Sequence, residues 1–135
     1  MSALLEIKAI SKKFGDLVAN DEISFTQKQG EVLAILGENG AGKTTLMNIL
    51  FGHYKCDGGE IFFKKSKLPT GKPGIAIDAG IGMVHQHFTL AENLTVLENI
   101  IIGEKSLLSL SLPKKIARKK LLELSDKFGL PIDPD

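Results

Sequence analysis

Gly37-Glu38-Asn39-Gly40-Ala41-Gly42-Lys43-Thr44 spells G-x-x-x-x-G-K-T. It directly follows the apolar run Val32-Leu33-Ala34-Ile35-Leu36 and directly precedes a helical pattern. Strand, glycine loop and helix in that order make a phosphate cradle in an α/β fold. Backbone N–H groups can curl around an anion only where no Cβ blocks their approach, which accounts for Gly37, Gly40 and Gly42. The helix that follows aims its unpaired N–H groups and its partial positive end at the same anion. Lys43 is placed to reach the β- and γ-phosphates of a nucleotide as a compact point charge. The Thr44 hydroxyl suits a magnesium ion bridging those phosphates, and Thr45 falls nearer the α-phosphate.

The remaining composition narrows what such a cradle serves. With 135 residues, 43% of them hydrophobic, the chain is long enough for one domain, residues 1–135, with its own core. Seventeen Lys plus Arg against sixteen Asp plus Glu leave a formal charge of +1. No global field therefore draws in nucleic acid or an anionic membrane, and anion binding is local. Cys56 is the single cysteine, which excludes an internal disulfide and agrees with a reducing compartment. The first residues lack a basic segment followed by an apolar signal core, and every apolar run is far shorter than a bilayer span, so the cytoplasm is the expected location.

Upstream of the cradle, Leu5, Ile7 and Ala9 alternate with Glu6 and Lys8 as a half-buried strand, and residues 11–16 read as a polar turn carrying Phe14. An aromatic ring on a polar loop either stacks on a nucleotide base or packs back onto its own sheet. A second strand is expected over residues 23–27, before Gly30 turns the chain into the buried strand 32–36. Downstream, Leu46, Ile49 and Leu50 form a helical stripe closed near Gly52. Asp57-Gly58-Gly59 reads as a tight turn, residues 60–63 as a short strand and residues 64–72 as an exposed loop. Pro73 opens a short helix ended by Gly80, and residues 81–84 form a small buried parallel strand followed by Gln86. Thr95 and Glu98 have capping-box spacing for a helix over 96–102. A last helix starts at Pro113, with Ala117, Leu121, Leu124 and Phe128 on one face, and stops at Gly129.

Several side chains admit two readings. A cradle-bound metal calls for an acidic ligand at the end of a buried strand, and only Ile75-Ala76-Ile77-Asp78 resembles one; the alternative is a capped surface helix. Gln86, beyond a strand end, either orients water and touches magnesium or is simply solvated. His85 and His87 at period two lack a third ligand with metal spacing. Lys114, Lys115, Arg118, Lys119 and Lys120 form either a solvated helix face or a patch for lipid or nucleic acid. Cys56 and Tyr54 read as structural. Arg118 is the sole arginine, which disfavours a small kinase with an arginine-bearing lid, and the lack of an asparagine-lysine-x-aspartate run disfavours a GTPase.

Taken together, Phe14, the cradle and Gln86 resemble the nucleotide-binding domain of ABC transporters across most of the chain. Residues 36–46 are similar to that family's first nucleotide motif, Phe14 stands where its base-stacking aromatic stands, and Ile81-Gly82-Met83-Val84-His85-Gln86 resembles its glutamine loop. The resemblance implies a P-loop NTPase core of ABC type with an N-terminal antiparallel β subdomain, truncated before the signature motif. It implies ATP and magnesium as ligands. Phe14, Gly37, Asn39, Gly40, Ala41, Gly42, Lys43, Thr44 and Thr45 then contact nucleotide, Thr44 and Gln86 attend the metal, and Lys43 and Gln86 serve catalysis. Transmembrane permease subunits are implied as partners of the region after Gln86, together with a second nucleotide-binding domain. The wording of residues 82–86 and 93–100 looks most like bacterial importers of nucleosides or simple sugars, peripheral on the cytoplasmic face of the membrane. Signature loop, aspartate-ending strand and switch histidine do not occur before Asp135, so binding without hydrolysis is expected of this chain alone.

Overall fold

A computed structural model describes residues 3–85, 90–103 and 114–135, which fall into two units divided after Val84. The first unit is built on a four-stranded antiparallel sheet: β1 (Ala3–Phe14), β2 (Leu17–Lys28), β3 (Gly58–Phe63) and β4 (Ser66–Leu68), in the order β2-β1-β3-β4. Helix α1 (Lys43–Phe51) lays Leu46 and Ile49 into a core made by Leu5, Ile7, Ile10, Ile61 and Leu68 from the sheet. Its apolar stripe and its end at Gly52, which is left-handed at φ 90°, follow the sequence reading.

The sheet corrects that reading in four places. Ala9 is exposed and Ile10 is buried, because a bulge between the pairs Ile7–Phe25 and Ile10–Ile23 inserts one residue and turns Ile10 inward. Ala9 takes φ 49° there, and its N–H donates to Ser24 Oγ at 2.8 Å. Residues 11–14 continue β1 instead of turning, so the turn is confined to Gly15 and Asp16. Gly58 and Gly59 belong to β3, and the supposed loop 64–72 contains β4, drawn in by the burial of Leu68. The β3–β4 turn sits on Lys64 and Lys65, both at positive φ (51° and 67°), where sequence rules look for Asn or Gly.

Residues 32–36 and 81–84 adopt no regular structure, and Val32, Leu36 and Val84 are 96%, 90% and 84% exposed. Both were expected as buried parallel strands. A buried strand needs a partner for each edge, and among the described residues every strand pairing is antiparallel and none involves these segments. Helix α2 (Pro73–Ala79) begins on Pro73 and ends at Gly80, at φ 96°, as its sequence requires.

In the second unit, α3 (Val96–Gly103) opens with the expected reciprocal cap. Glu98 N–H donates to Thr95 Oγ1 at 3.2 Å, and Thr95 N–H donates to Glu98 Oε2 at 3.1 Å. Helix α4 (Lys114–Phe128) turns Leu121 and Ser125 inward and leaves Leu124 and Phe128 exposed, so its inner line runs at intervals of four instead of along the expected face. The Ser125 hydroxyl donates to Leu130 O, a polar contact that takes the place of an apolar one. Pro113, the expected start, lies outside the described residues.

Candidate functional site

The turn from the exposed segment into α1 folds into a loop closed on itself. Ala41 N–H donates to Glu38 O at 3.2 Å, and Gly37 sits so close to the returning chain that a Cβ there would lie 3.3 Å from that of Ala41. Gly40 and Gly42 are left-handed, at φ 86° and 82°, a conformation that side-chain-bearing residues enter only with strain. A Cβ on Gly42 would also come within 2.0 Å of Ala19 O on β2, so this glycine is required by close approach as well as by φ.

Gly42 is the N-cap of α1 and offers no side chain to the first-turn N–H groups, and no acidic residue stands in that turn. Those donors are therefore directed out of the helix start together with its positive end. The Lys43 ammonium lies back across the loop, donating to Gly37 O and Glu38 O at 2.6 Å each. An ammonium carries three donors, so it has a third beyond these two carbonyl contacts. Thr44 is exposed beside it, Thr45 is half-buried, and Asn39 and Ala41 are exposed on the loop. The arrangement suits a polyphosphate. Among the described residues no group of three or more His, Cys, Asp or Glu side chains comes together around a metal. A magnesium ion at this place would draw on Thr44 Oγ1 with phosphate and water oxygens, an all-oxygen donor set that fits it.

Phe14 closes the β1 side of the β1–β2 hairpin, paired with Leu17 and 44% exposed. Its ring meets Tyr54 edge-on, with centroids 5.6 Å apart and planes at 75°, and the Lys12 ammonium lies 5.3 Å from its centroid. Lys12 is held in turn by Asp57 at 2.9 Å. The Lys13 N–H first, and then Lys12, keep the Asp57 carboxyl below its ordinary value. Tyr54 thus has a partner that sequence reasoning did not give it. The link from hairpin to cradle is Asn20, which pairs with Lys12 in the sheet register and donates from Nδ2 to Gly42 O at 3.2 Å. Nothing in the local pattern of residues 17–28 marks Asn20, because its role depends on a contact across 22 positions.

Asp78 lies exposed on α2 and not at the end of a buried strand, so the arrangement that would make it a metal ligand is absent. Gln86 and His87 lie outside the described residues. The basic residues Lys114, Arg118 and Lys119 of α4 are exposed and carry acidic partners of their own: Lys114 pairs with Glu98 at 2.8 Å, Arg118 with Asp135 and Lys119 with Glu123 at 3.8 Å. That is the pattern of a solvated face. No helix among the described residues is long and apolar enough to cross a membrane.

Comparison with known proteins points the same way as the cradle. The family model described as ABC transporter matches residues 20–133. A nucleoside import ATP-binding protein, NupA of Lactococcus lactis subsp. cremoris, is 47% identical over 132 residues, which is 98% of this chain and 26% of that protein. A ribose import ATP-binding protein, RbsA of Caldanaerobacter subterraneus subsp. tengcongensis, is 38% identical over 136 residues, covering 100% of this chain and 27% of the relative. The chain thus spans about a quarter of the length of these relatives. Among solved structures, MJ1267, an ATP-binding cassette of an ABC transporter, aligns with a TM-score of 0.81 and 30% identity over 96% of this chain and 55% of its own.

Proposed function

Because the chain belongs to the ABC transporter family, we propose that residues 1–135 are the N-terminal portion of a single nucleotide-binding domain, the ATP-binding segment of an importer's ATPase subunit. The observation that carries this reading is the cradle: left-handed Gly42 beneath an uncapped helix start, with the Lys43 ammonium lying across the loop. The names of the relatives, nucleoside import and ribose import, support nucleosides or simple sugars as the cargo class.

In this reading the exposed half of the Phe14 ring stacks on adenine, with Tyr54 and Lys12 fixing its tilt. The loop amides, including those of Asn39, Gly40, Ala41 and Gly42, take the phosphate oxygens, and the first-turn N–H groups of Lys43, Thr44 and Thr45 extend that grip. Lys43 neutralises charge on the β- and γ-phosphates by giving up loop carbonyls in exchange for phosphate oxygens. Magnesium, when bound, would supply further charge neutralisation there, with Thr44 and Gln86 as its ligands from this chain. Gln86 completes the metal site and senses the γ-phosphate, and the region that follows it docks on transmembrane permease subunits at the cytoplasmic face of the membrane. A second nucleotide-binding domain faces the cradle and contributes the signature loop that residues 1–135 lack. This chain alone therefore binds ATP without turning it over.

Titration calorimetry of the folded chain with ATP in magnesium buffer tests the reading. We expect saturable binding that Lys43→Ala weakens by about 10- to 100-fold, the loss of a charged hydrogen bond of about 1.5–3 kcal/mol. A folded sample giving no heat of association overturns the cradle assignment. Turnover that disappears in Lys43→Ala overturns the proposal that the chain alone is inactive.

A further inference from the structure

The structure assigns Asn20 as a positioning residue for the phosphate grip, holding the Gly42–Lys43 peptide in the orientation that aims the Lys43 N–H at an anion; this rests on the cradle reading above. Asn20 is 5% exposed on β2, its Nδ2 donates to Gly42 O at 3.2 Å, and its Oδ1 is buried without a hydrogen-bond partner among the described residues. Turning the amide over would set oxygen against the Gly42 carbonyl, so only the observed orientation forms the bond.

Gly42 O accepts twice, from Leu46 N–H at 2.9 Å along the helix and from Asn20 at 3.2 Å across from the sheet. A trans peptide is rigid and planar, with C=O and N–H pointing in opposite directions. Two donors on one oxygen therefore fix where the Lys43 N–H points, out of the helix start and into the loop. The constraint matters because Gly42, at φ 82°, is a glycine with access to other backbone wells, so its own geometry does not hold this peptide. On the other side, Ala19 O lies where a Cβ of Gly42 would be, which presses the same residue against β2.

A residue present only to fill space would not leave a polar atom unpaired. An apolar side chain has no buried oxygen to desolvate, whereas the asparagine keeps Oδ1 orphaned, among the described residues, for the sake of the donor beside it. The amide is also neutral, so it grips the carbonyl without adding a negative charge near the phosphates.

The test uses the full chain and three variants, with ATP and inorganic triphosphate as probes. Asn20→Leu should weaken both probes by the same factor, about tenfold, whatever its extra volume does to the thermal midpoint of the nucleotide-free chain. In 15N-labelled protein the downfield displacement of the Lys43 amide proton on adding triphosphate should shrink. Asn20→Asp keeps the shape but loses the amide donor. Its protonated carboxyl regains an O–H that can serve Gly42 O, so its triphosphate affinity relative to wild type should recover as pH is lowered through the buried carboxyl's titration. A merely structural role predicts an unchanged Lys43 displacement and no such recovery, and that result overturns the assignment. Lys43→Ala separates the two levels: if it abolishes triphosphate binding while both Asn20 variants match wild type, only the role of Asn20 fails. If Lys43→Ala also binds like wild type, the cradle reading fails with it.

Discussion

Replacing Gly42 by alanine puts two separable strains on the cradle. The residue sits at φ 82°, and an L-residue there costs about 1–2 kcal/mol. The new methyl carbon would lie 2.0 Å from Ala19 O, 3.1 Å from Ala19 C and 2.9 Å from Asn20 Nδ2. The first two are backbone atoms of a paired strand and cannot swing aside, so relief requires shifting β2 or the start of α1, at about 1–3 kcal/mol more. Gly40 isolates the first strain. It has nearly the same φ, 86°, but nothing lies within 4 Å of its Cβ position, so Gly40→Ala should show the conformational cost alone. Thermal unfolding followed by circular dichroism, with ATP titrations on the same samples, should place Gly40→Ala about 1–2 kcal/mol below wild type. Gly42→Ala should lie about 2–5 kcal/mol below, taking the two strains as additive. If the chain escapes by moving the loop, the deficit appears as lost ATP affinity and not as a lower midpoint, and the two readouts together capture it. Equal behaviour of the two variants in both assays would refute the account, because it would mean that the packing of Gly42 against β2 has no energetic weight.

Three further outcomes follow from the same geometry. Phe14→Ala should reduce ATP affinity by about 5- to 100-fold, the range of one base stack of about 1–3 kcal/mol, and leave triphosphate affinity unchanged; Tyr54→Leu should do the same more weakly. For Asp57, whose carboxyl is held below its ordinary value by the Lys13 N–H and the Lys12 ammonium, folding stability is fully present above the unfolded pKa. It is lost as pH falls through the lower folded one. The midpoint of the wild-type chain should therefore drop below about pH 4, with Asp57→Asn showing a shallower acid limb in the same scan. Thr95→Ala removes the acceptor for Glu98 N–H at the start of α3 and should cost about 1 kcal/mol, read as an earlier loss of helical signal on thermal unfolding.

What could be read from the sequence was what neighbouring residues decide among themselves. The glycine loop, the Leu46 and Ile49 stripe, the stop at Gly52, the Pro73-to-Gly80 helix and the Thr95–Glu98 cap all involve partners within a few positions, and each stands where the pattern puts it. What could not be read depends on distant partners. The bulge that buries Ile10 instead of Ala9 is set by β2 and by the close passage of Gly59, where a Cβ would lie 2.4 Å from Ala9 O. The burial of Leu68 needs β3 alongside it, and the edge-on meeting of Tyr54 with Phe14 spans two separate segments. In α4 the heptad-like pattern favoured Leu124 and Phe128, but the chain reversing after Gly129 meets Ser125 instead.

The exposed run of residues 32–36 bears on where the cradle gets its shape. Its pattern is that of a buried strand, yet its side chains face solvent and its backbone joins no ladder among the described residues. The loop that follows is nevertheless formed, so its conformation is imposed from the other end: Ala19 and Asn20 bracket Gly42, and Leu46 and Ile49 anchor α1 in the antiparallel core. Among the described residues, the entering half, from Gly37 to Ala41, is tied down by the Ala41–Glu38 turn and by the two Lys43 contacts. The half fixed by the antiparallel unit is the one that carries the first-turn N–H groups, Lys43 and Thr44. In the proposed complex, a phosphate that draws Lys43 away from Gly37 O and Glu38 O releases those carbonyls, and the loop N–H groups bond the anion instead, which would tie the entering half to the ligand it encloses.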